Sequence, residues 1–168
     1  QEFPQIGAVM AKSLGADKHA LPGHIRVSSS TGGRSNDSAY LGPAFASISI
    51  ASGKPLANSA RPEGMTEKQD ILRNEFRRSA DNRFSLRRRS AQTDAYAQSY
   101  EQAQQLMANR DVFDITKESP KDHDRYGKHE LGQHSLLARR LLEKGVTFVH
   151  VTHSNYDTHN ENFNFHLE

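Results

Sequence analysis

Apolar residues recur at helical spacing after Pro4, at Ile6, Val9, Met10 and Leu14, and Gly15 follows as a stop, so the first predicted element is a short amphipathic helix. His24-Ile25-Arg26-Val27 reads as a short strand. Ser28 to Ser38 is Ser, Thr, Gly, Asn and Asp without periodicity, a loop. Tyr40 to Ile50 is more apolar, with Phe45, Ile48 and Ile50, and the polar stretch from Ala51 to Gly64 is a second long loop.

Two further helices fill the middle of the chain. Thr66 with Gln69 three residues on has capping-box spacing, and Ile71, Leu72, Phe76, Ala80 and Phe84 continue one face. The next helix, Ala91 to Asn109, carries Tyr96, Tyr100, Ala103 and Met107 on a stripe. A third is marked by Leu131, Ala138, Leu141 and Leu142, with Arg139, Arg140 and Lys144 in its last turns and Gly145 as its stop. Val146 to Val151 follows at once with apolar residues on both alternate faces, the pattern of a central parallel strand covered by helices on either side. Helix, glycine and buried strand make an α/β unit.

Composition adjusts this picture. A chain of 168 residues suffices for one domain, but a hydrophobic share of 35% and a mean hydropathy of −0.80 are low, and apolar residues crowd the last third. The chain starts at Gln1 without an initiator Met and stops at Glu168 without a helix stop signal, so residues 1–168 are expected to be an internal piece of one domain, incomplete at both ends. No apolar run approaches the roughly 20 residues that span a bilayer, and a signal peptide, absent from residues 1–168, would be expected to have gone with a missing N-terminus. Twenty-two basic against twenty acidic residues leave +2, too little to imply a polyanionic partner. With no cysteine, thiolate catalysis and Cys-ligated zinc are excluded, and any metal must use His and carboxylate.

Candidate chemistry concentrates just beyond the last strand. In open α/β sheets ligands gather at the carboxyl ends of strands, and there the chain places Thr152-His153-Ser154-Asn155-Tyr156-Asp157-Thr158-His159. Imidazole nitrogen and carboxylate oxygen suit zinc or a similar divalent ion, and an Asp-x-His spacing can place both on one turn. The structural alternative is that Asp157 caps a terminal helix and the histidines are solvated. His129 and His134 are five apart, not the four a zinc-protease helix requires, so a metalloprotease is rejected and the two are expected to be satisfied or exposed helix histidines. Ser28 to Gly33 resembles a phosphate cradle in composition alone. Arg87-Arg88-Arg89, with Arg77, Arg78 and Arg83, is expected to be a solvated helix end and not a nucleic-acid grip.

Several blocks occur in a telling order: Phe3-Pro4-x-Ile6-Gly7, Leu21-Pro22, Tyr40-Leu41-Gly42-Pro43-Ala44-Phe45, Arg125-Tyr126-Gly127-x-His129-x-x-Gly132-Gln133, Leu137-Ala138-Arg139-Arg140-Leu141, Gly145-Val146 and Asp157-Thr158-His159-x-x-x-Phe163. On these the chain resembles the bacterial sulfatase-like family called domain of unknown function fifteen-oh-one, a branch of the alkaline-phosphatase superfamily. The resemblance implies a fragment of an alkaline-phosphatase-like α/β/α sandwich with long loops and a helical middle section. It implies a parent that is a metal-dependent hydrolase of sulfate or phosphate esters, acting on a small ester or a sulfated or phosphorylated glycan, and exported to the periplasm or beyond. Asp157 and His159 are the metal ligands it implies, for zinc, calcium or magnesium, with His153 a further candidate. The Ser, Thr or modified Cys nucleophile and a later Asp-His pair match no residue here, so the piece alone is expected to be inactive. His153 and Asn155 depart from the family's Gly-Gly-Trp-type residues, and His134 departs from the smaller residue common after Gly-Gln. The rival expectation is a non-catalytic exported protein that keeps the fold for binding, using the loops from Ser28 to Gly64.

Overall fold

A computed structural model describes residues 3–15, 21–29, 37–51, 59–88 and 90–153. The order is α1 (Ile6–Leu14), β1 (His24–Val27), β2 (Ile48–Ile50), α2 (Glu67–Arg88), α3 (Ala91–Ala108), α4 (Pro120–Tyr126), α5 (Glu130–Glu143) and β3 (Phe148–Val151), with 3-10 turns at Ala39–Leu41, Pro43–Phe45, Arg110–Phe113 and Ile115–Lys117. It is a mixed α/β structure built on a small parallel sheet of order β2-β1-β3.

The α5–β3 unit forms as its local signals dictate. Gly145 takes φ +88°, a left-handed conformation that suits glycine. Its N–H donates to the Leu142 carbonyl and the Val146 N–H to that of Leu141, the paired bonds of a Schellman stop. Leu141 and Val146 then meet in the core, and the chain reverses into β3. The inner face of α5 contributes Leu136, Leu137 and Leu141, which pack with Ile25 and Val27 of β1 and with Phe113 from the turn after α3.

One expectation about the sheet is corrected. β3 pairs in parallel with β1, in the register Ile25↔Val149 and Val27↔Val151, but among the described residues it lies at the sheet edge and is only partly buried. The central strand is β1, fully flanked by β2 and β3. β1 hides its position because one of its faces is polar: His24 and Arg26 alternate with Ile25 and Val27. That polar face is met in part from the loops, His24 Nδ1 being buried without a hydrogen-bond partner among the described residues. The Asp37 side chain has no exposed area; it accepts from Arg26 Nη2 at 3.4 Å and from the Ser47 N–H at 3.0 Å. Asp37 and Ser38, the last residues of a stretch expected to be a plain loop, are thus buried.

The first helix is present over its expected span but turned over. Ile6 and Leu14 are more than 60% exposed, and Gly7, Ala8 and Ala11 face inward. The helix approaches the sheet so closely that a Cβ on Gly7 would lie 2.3 Å from His24 Nε2 and 2.7 Å from Phe148 Cδ1. Small residues therefore define the docking face. α1 covers the His24 and Phe148 face of the sheet, whereas α5 covers the Ile25 and Val27 face.

The helical middle section packs differently. Thr66 and Gln69 form the expected reciprocal cap, with bonds of 2.8 and 3.3 Å. Arg77 and Arg78 of α2 each reach Glu101 of α3 at 2.7 Å, and Arg77 lies over the Tyr100 ring at 4.7 Å. No residue of α2 is buried. Its expected core stripe faces solvent, with Phe76 77% exposed. Further on, Glu118 accepts from both Arg139 and Arg140, Arg139 also reaches Asp122 at 2.9 Å, and Arg140 donates to the Val112 carbonyl at 2.9 Å. These arginines tie α5 to the segment before α4, a more specific role than favourable charge at a helix end.

Candidate metal centre

Parallel pairing brings the carboxyl ends of all three strands to one edge. Thr152, just past β3, donates its N–H to the Val27 carbonyl at 2.8 Å, and Ser28, just past β1, donates to that of Ile50 at 3.2 Å. The ladder therefore runs to the strand ends and delivers His153, half-buried, at the edge where α/β sheets bind ligands. Asp157 and His159 lie outside the described residues, as do Ser30 to Gly33 of the Ser/Gly stretch. Of the three candidate ligands, His153 is the one whose position is described.

A second buried imidazole comes from α5. His134 lies in the first turns of α5, on the stripe it shares with Leu137, Ala138 and Leu141 at intervals of three, four and seven. A helix rises about 1.5 Å per residue and a strand about 3.3 Å. Because the chain reverses at Gly145, the seven-residue step back from Leu141 to His134, roughly 10 Å, corresponds to about three strand residues along β3. His134 is thus carried about three residues along the strand from the level of Val146, to that of Val149. It has no exposed area. Neither ring nitrogen has a hydrogen-bond partner among the described residues. Burial holds its pKa below the ordinary 6.5; Glu130 opposes the shift and His153 adds to it.

The expectation that His129 and His134 are a satisfied or exposed pair is half corrected. His129 is satisfied: as N-cap of α5, its Nδ1 accepts the Gly132 N–H at 3.0 Å. His134 is neither satisfied nor exposed. The signal for His134 was its place in the leucine stripe, which marks the sheet-facing side of the helix.

Charge gathers a second time on the opposite face of the sheet, around His24, Arg26, Asp37 and Ser47. The His24 pKa is lowered, mainly by burial; Asp37 and a hydrogen bond with the Phe45 backbone oppose the shift, and Arg26 and His150 add to it. His24 opens β1, so it lies at the end of the strand away from the carboxyl edge. Its ring stacks edge-on against Phe148, centroids 5.5 Å apart. This cluster holds α1 and the Asp37 loop on the sheet.

The donor chemistry at the carboxyl edge fits a divalent metal. The half-buried imidazole of His153 and the buried imidazole of His134, which has no hydrogen bond among the described residues, are nitrogen donors of the kind zinc and similar ions take. Among the described residues no group of three His, Cys, Asp or Glu is close enough to hold an ion alone. A complete site therefore needs donors beyond this pair.

A helix on each face of a parallel sheet, with an imidazole at the carboxyl edge, defines an α/β protein with a ligand-type strand end. The chain belongs to the family described as "Protein of unknown function (DUF1501)", whose family model matches residues 1–168. No curated protein and no solved structure matches it.

Proposed function

We propose that the full-length protein is a metal-dependent hydrolase of phosphate or sulfate esters with an alkaline-phosphatase-like α/β/α sandwich, and that Asp157 and His159, with His153, hold one divalent ion at the carboxyl edge of the sheet. The observation that carries this reading is the delivery of His153 to that edge by the β1–β3 ladder. The Asp157-Thr158-His159 block begins four residues later in the sequence. A divalent ion supplies Lewis-acid polarisation of the ester oxygen when bound. The carboxylate of Asp157 contributes negative charge to hold it, and neutral imidazoles contribute lone pairs without adding charge. No residue of this sequence is given the nucleophile's role. We place the protein outside the cytoplasm, as the resemblance to an exported family implies. Among the described residues no helix is long and apolar enough to cross a membrane.

The test is hydrolysis of p-nitrophenyl phosphate and p-nitrophenyl sulfate by the full-length protein, before and after EDTA. Turnover of one ester that EDTA abolishes and zinc, calcium or magnesium restores is the expected result. Turnover insensitive to EDTA, or none with either ester and any of the three ions, refutes the reading.

A further inference from the structure

We propose that the outer face of α2 is a self-association surface, on which a second copy of this chain docks as an antiparallel helix centred on Ser79.

The face is defined by what α2 does with its other side. Arg77 bonds to Glu101 of α3, lies over the Tyr100 ring and also reaches Asp81, so this side of α2 is turned to α3. A helix advances about 100° per residue, which puts Ser79, two residues from both Arg77 and Asp81, about 160° away from each. Leu72, Glu75, Phe76, Arg83 and Leu86 share the Ser79 side, at spacings of three, four and seven from it. All are exposed: Leu72 by 54%, Phe76 by 77% and Leu86 by 87%. Phe76, Ser79, Arg83 and Leu86 are among the residues lining a groove of about 790 Å³ on this face. Single exposed apolar residues are ordinary, but large ones aligned along one helix face form a patch of the kind that marks an interaction site.

The order of residues on the face selects its occupant. Counted from Ser79, Leu72 and Leu86 stand at minus and plus seven, and Glu75 and Arg83 at minus and plus four. An antiparallel copy with its Ser79 against this one therefore sets Leu72 against the partner's Leu86 and Glu75 against the partner's Arg83, and two-fold symmetry repeats both pairs. Phe76 falls at the level between the partner's Ser79 and the partner's Leu86, where the small serine leaves room for the ring. Neither Glu75 nor Arg83 makes an ion pair among the described residues, so both charges are available to pair across the axis. Other surfaces match less well. A lipid bilayer or a polyanion would meet the Glu75 carboxylate within the stripe, and an unrelated helix has no cause to repeat the two-fold pattern about Ser79. From Leu72 to Leu86 the helix runs about 21 Å, and a single helix pair of that length falls below the roughly 1,200 Å² of stable interfaces. The dimer is therefore reversible, and each protomer keeps its fold without it.

The experiment is sedimentation velocity on the full-length protein from about 1 to 200 µM, a range that brackets micromolar dissociation. Wild type is compared with Glu75→Arg, with Arg83→Glu, with an equimolar mixture of these two and with the double variant. Wild type should pass from monomer to dimer as concentration rises. Each single variant opposes like charges twice across the axis and should associate at least about 10-fold more weakly. The mixture and the double variant restore opposite charges at both pairs and should dimerise again. A wild type that stays monomeric throughout overturns the proposal, whether the face is then bare or covered by another part of the full-length chain. Single variants that dimerise like wild type place the contact on another surface, and a mixture that stays monomeric rules out the antiparallel pairing. Circular dichroism of the dilute protein should be the same for all forms; a single variant that unfolds shows the face packed against its own chain, and the proposal fails.

Discussion

Replacing His134 by leucine in the metal-free protein should raise its stability. The ring has no exposed area and no hydrogen bond to either nitrogen among the described residues. A buried polar group left unpaired costs about 1–3 kcal/mol, and an apolar side chain of similar volume removes that cost. The leucine would extend the contacts that Leu137 and Leu141 make with Ile25 and Val27, with no new polar atom. We expect a gain of about 1–3 kcal/mol, a roughly 5- to 150-fold rise in the ratio of folded to unfolded protein. The assay is urea unfolding in EDTA at pH 7.5. With a urea dependence of about 2 kcal/mol per molar, the midpoint should rise by about 0.5–1.5 M. A midpoint in EDTA that falls by a similar amount would refute the reasoning, since it would show that His134 makes a stabilising polar contact without metal.

Glu118→Ala removes the acceptor shared by Arg139 and Arg140, all three side chains being largely buried. Asp122 and the Val112 carbonyl remain as partners, so a loss of about 2–3 kcal/mol in urea unfolding is expected, below the 3–5 kcal/mol of a fully broken buried pair; a change under about 0.5 kcal/mol would make the contact incidental. Phe76→Ser, at a side chain 77% exposed, should change stability by no more than about 0.5 kcal/mol, and a loss of several kcal/mol would show that this face of α2 is covered. His24 carries a pKa lowered chiefly by burial, so the unfolded chain takes up its proton first. Stability should be fully present above the unfolded value of 6.5 and fall as the pH drops towards the lower folded value. His24→Gln should flatten that slope between pH 7 and 5, and an unchanged slope would assign it to other groups.

What the sequence discloses follows the range of the interactions concerned. The α5 stop at Gly145, the Thr66–Gln69 cap and the parallel strand after Gly145 depend on neighbours within a few residues, and all are formed. The strand order is not local. Val146 to Val151 has the composition of a central strand, yet β1 takes that place, its polar His24 and Arg26 accommodated by Asp37 and the Phe45 backbone far along the chain. Periodicity also misjudges close packing: α1 docks through Gly7, Ala8 and Ala11, and its larger apolar residues are left outside. At the candidate site, the position of His153 at the carboxyl edge could be read from the strand and its end. His134 could not, because a histidine in a leucine stripe looks the same whether its nitrogens are paired or bare.

Zinc binding by the full-length protein, followed by isothermal titration calorimetry, tests the central claim most directly. One strong site in the wild type, lost in both Asp157→Ala and His159→Ala while their circular dichroism spectra remain unchanged, is the predicted result. Undiminished affinity in folded Asp157→Ala and His159→Ala would contradict it.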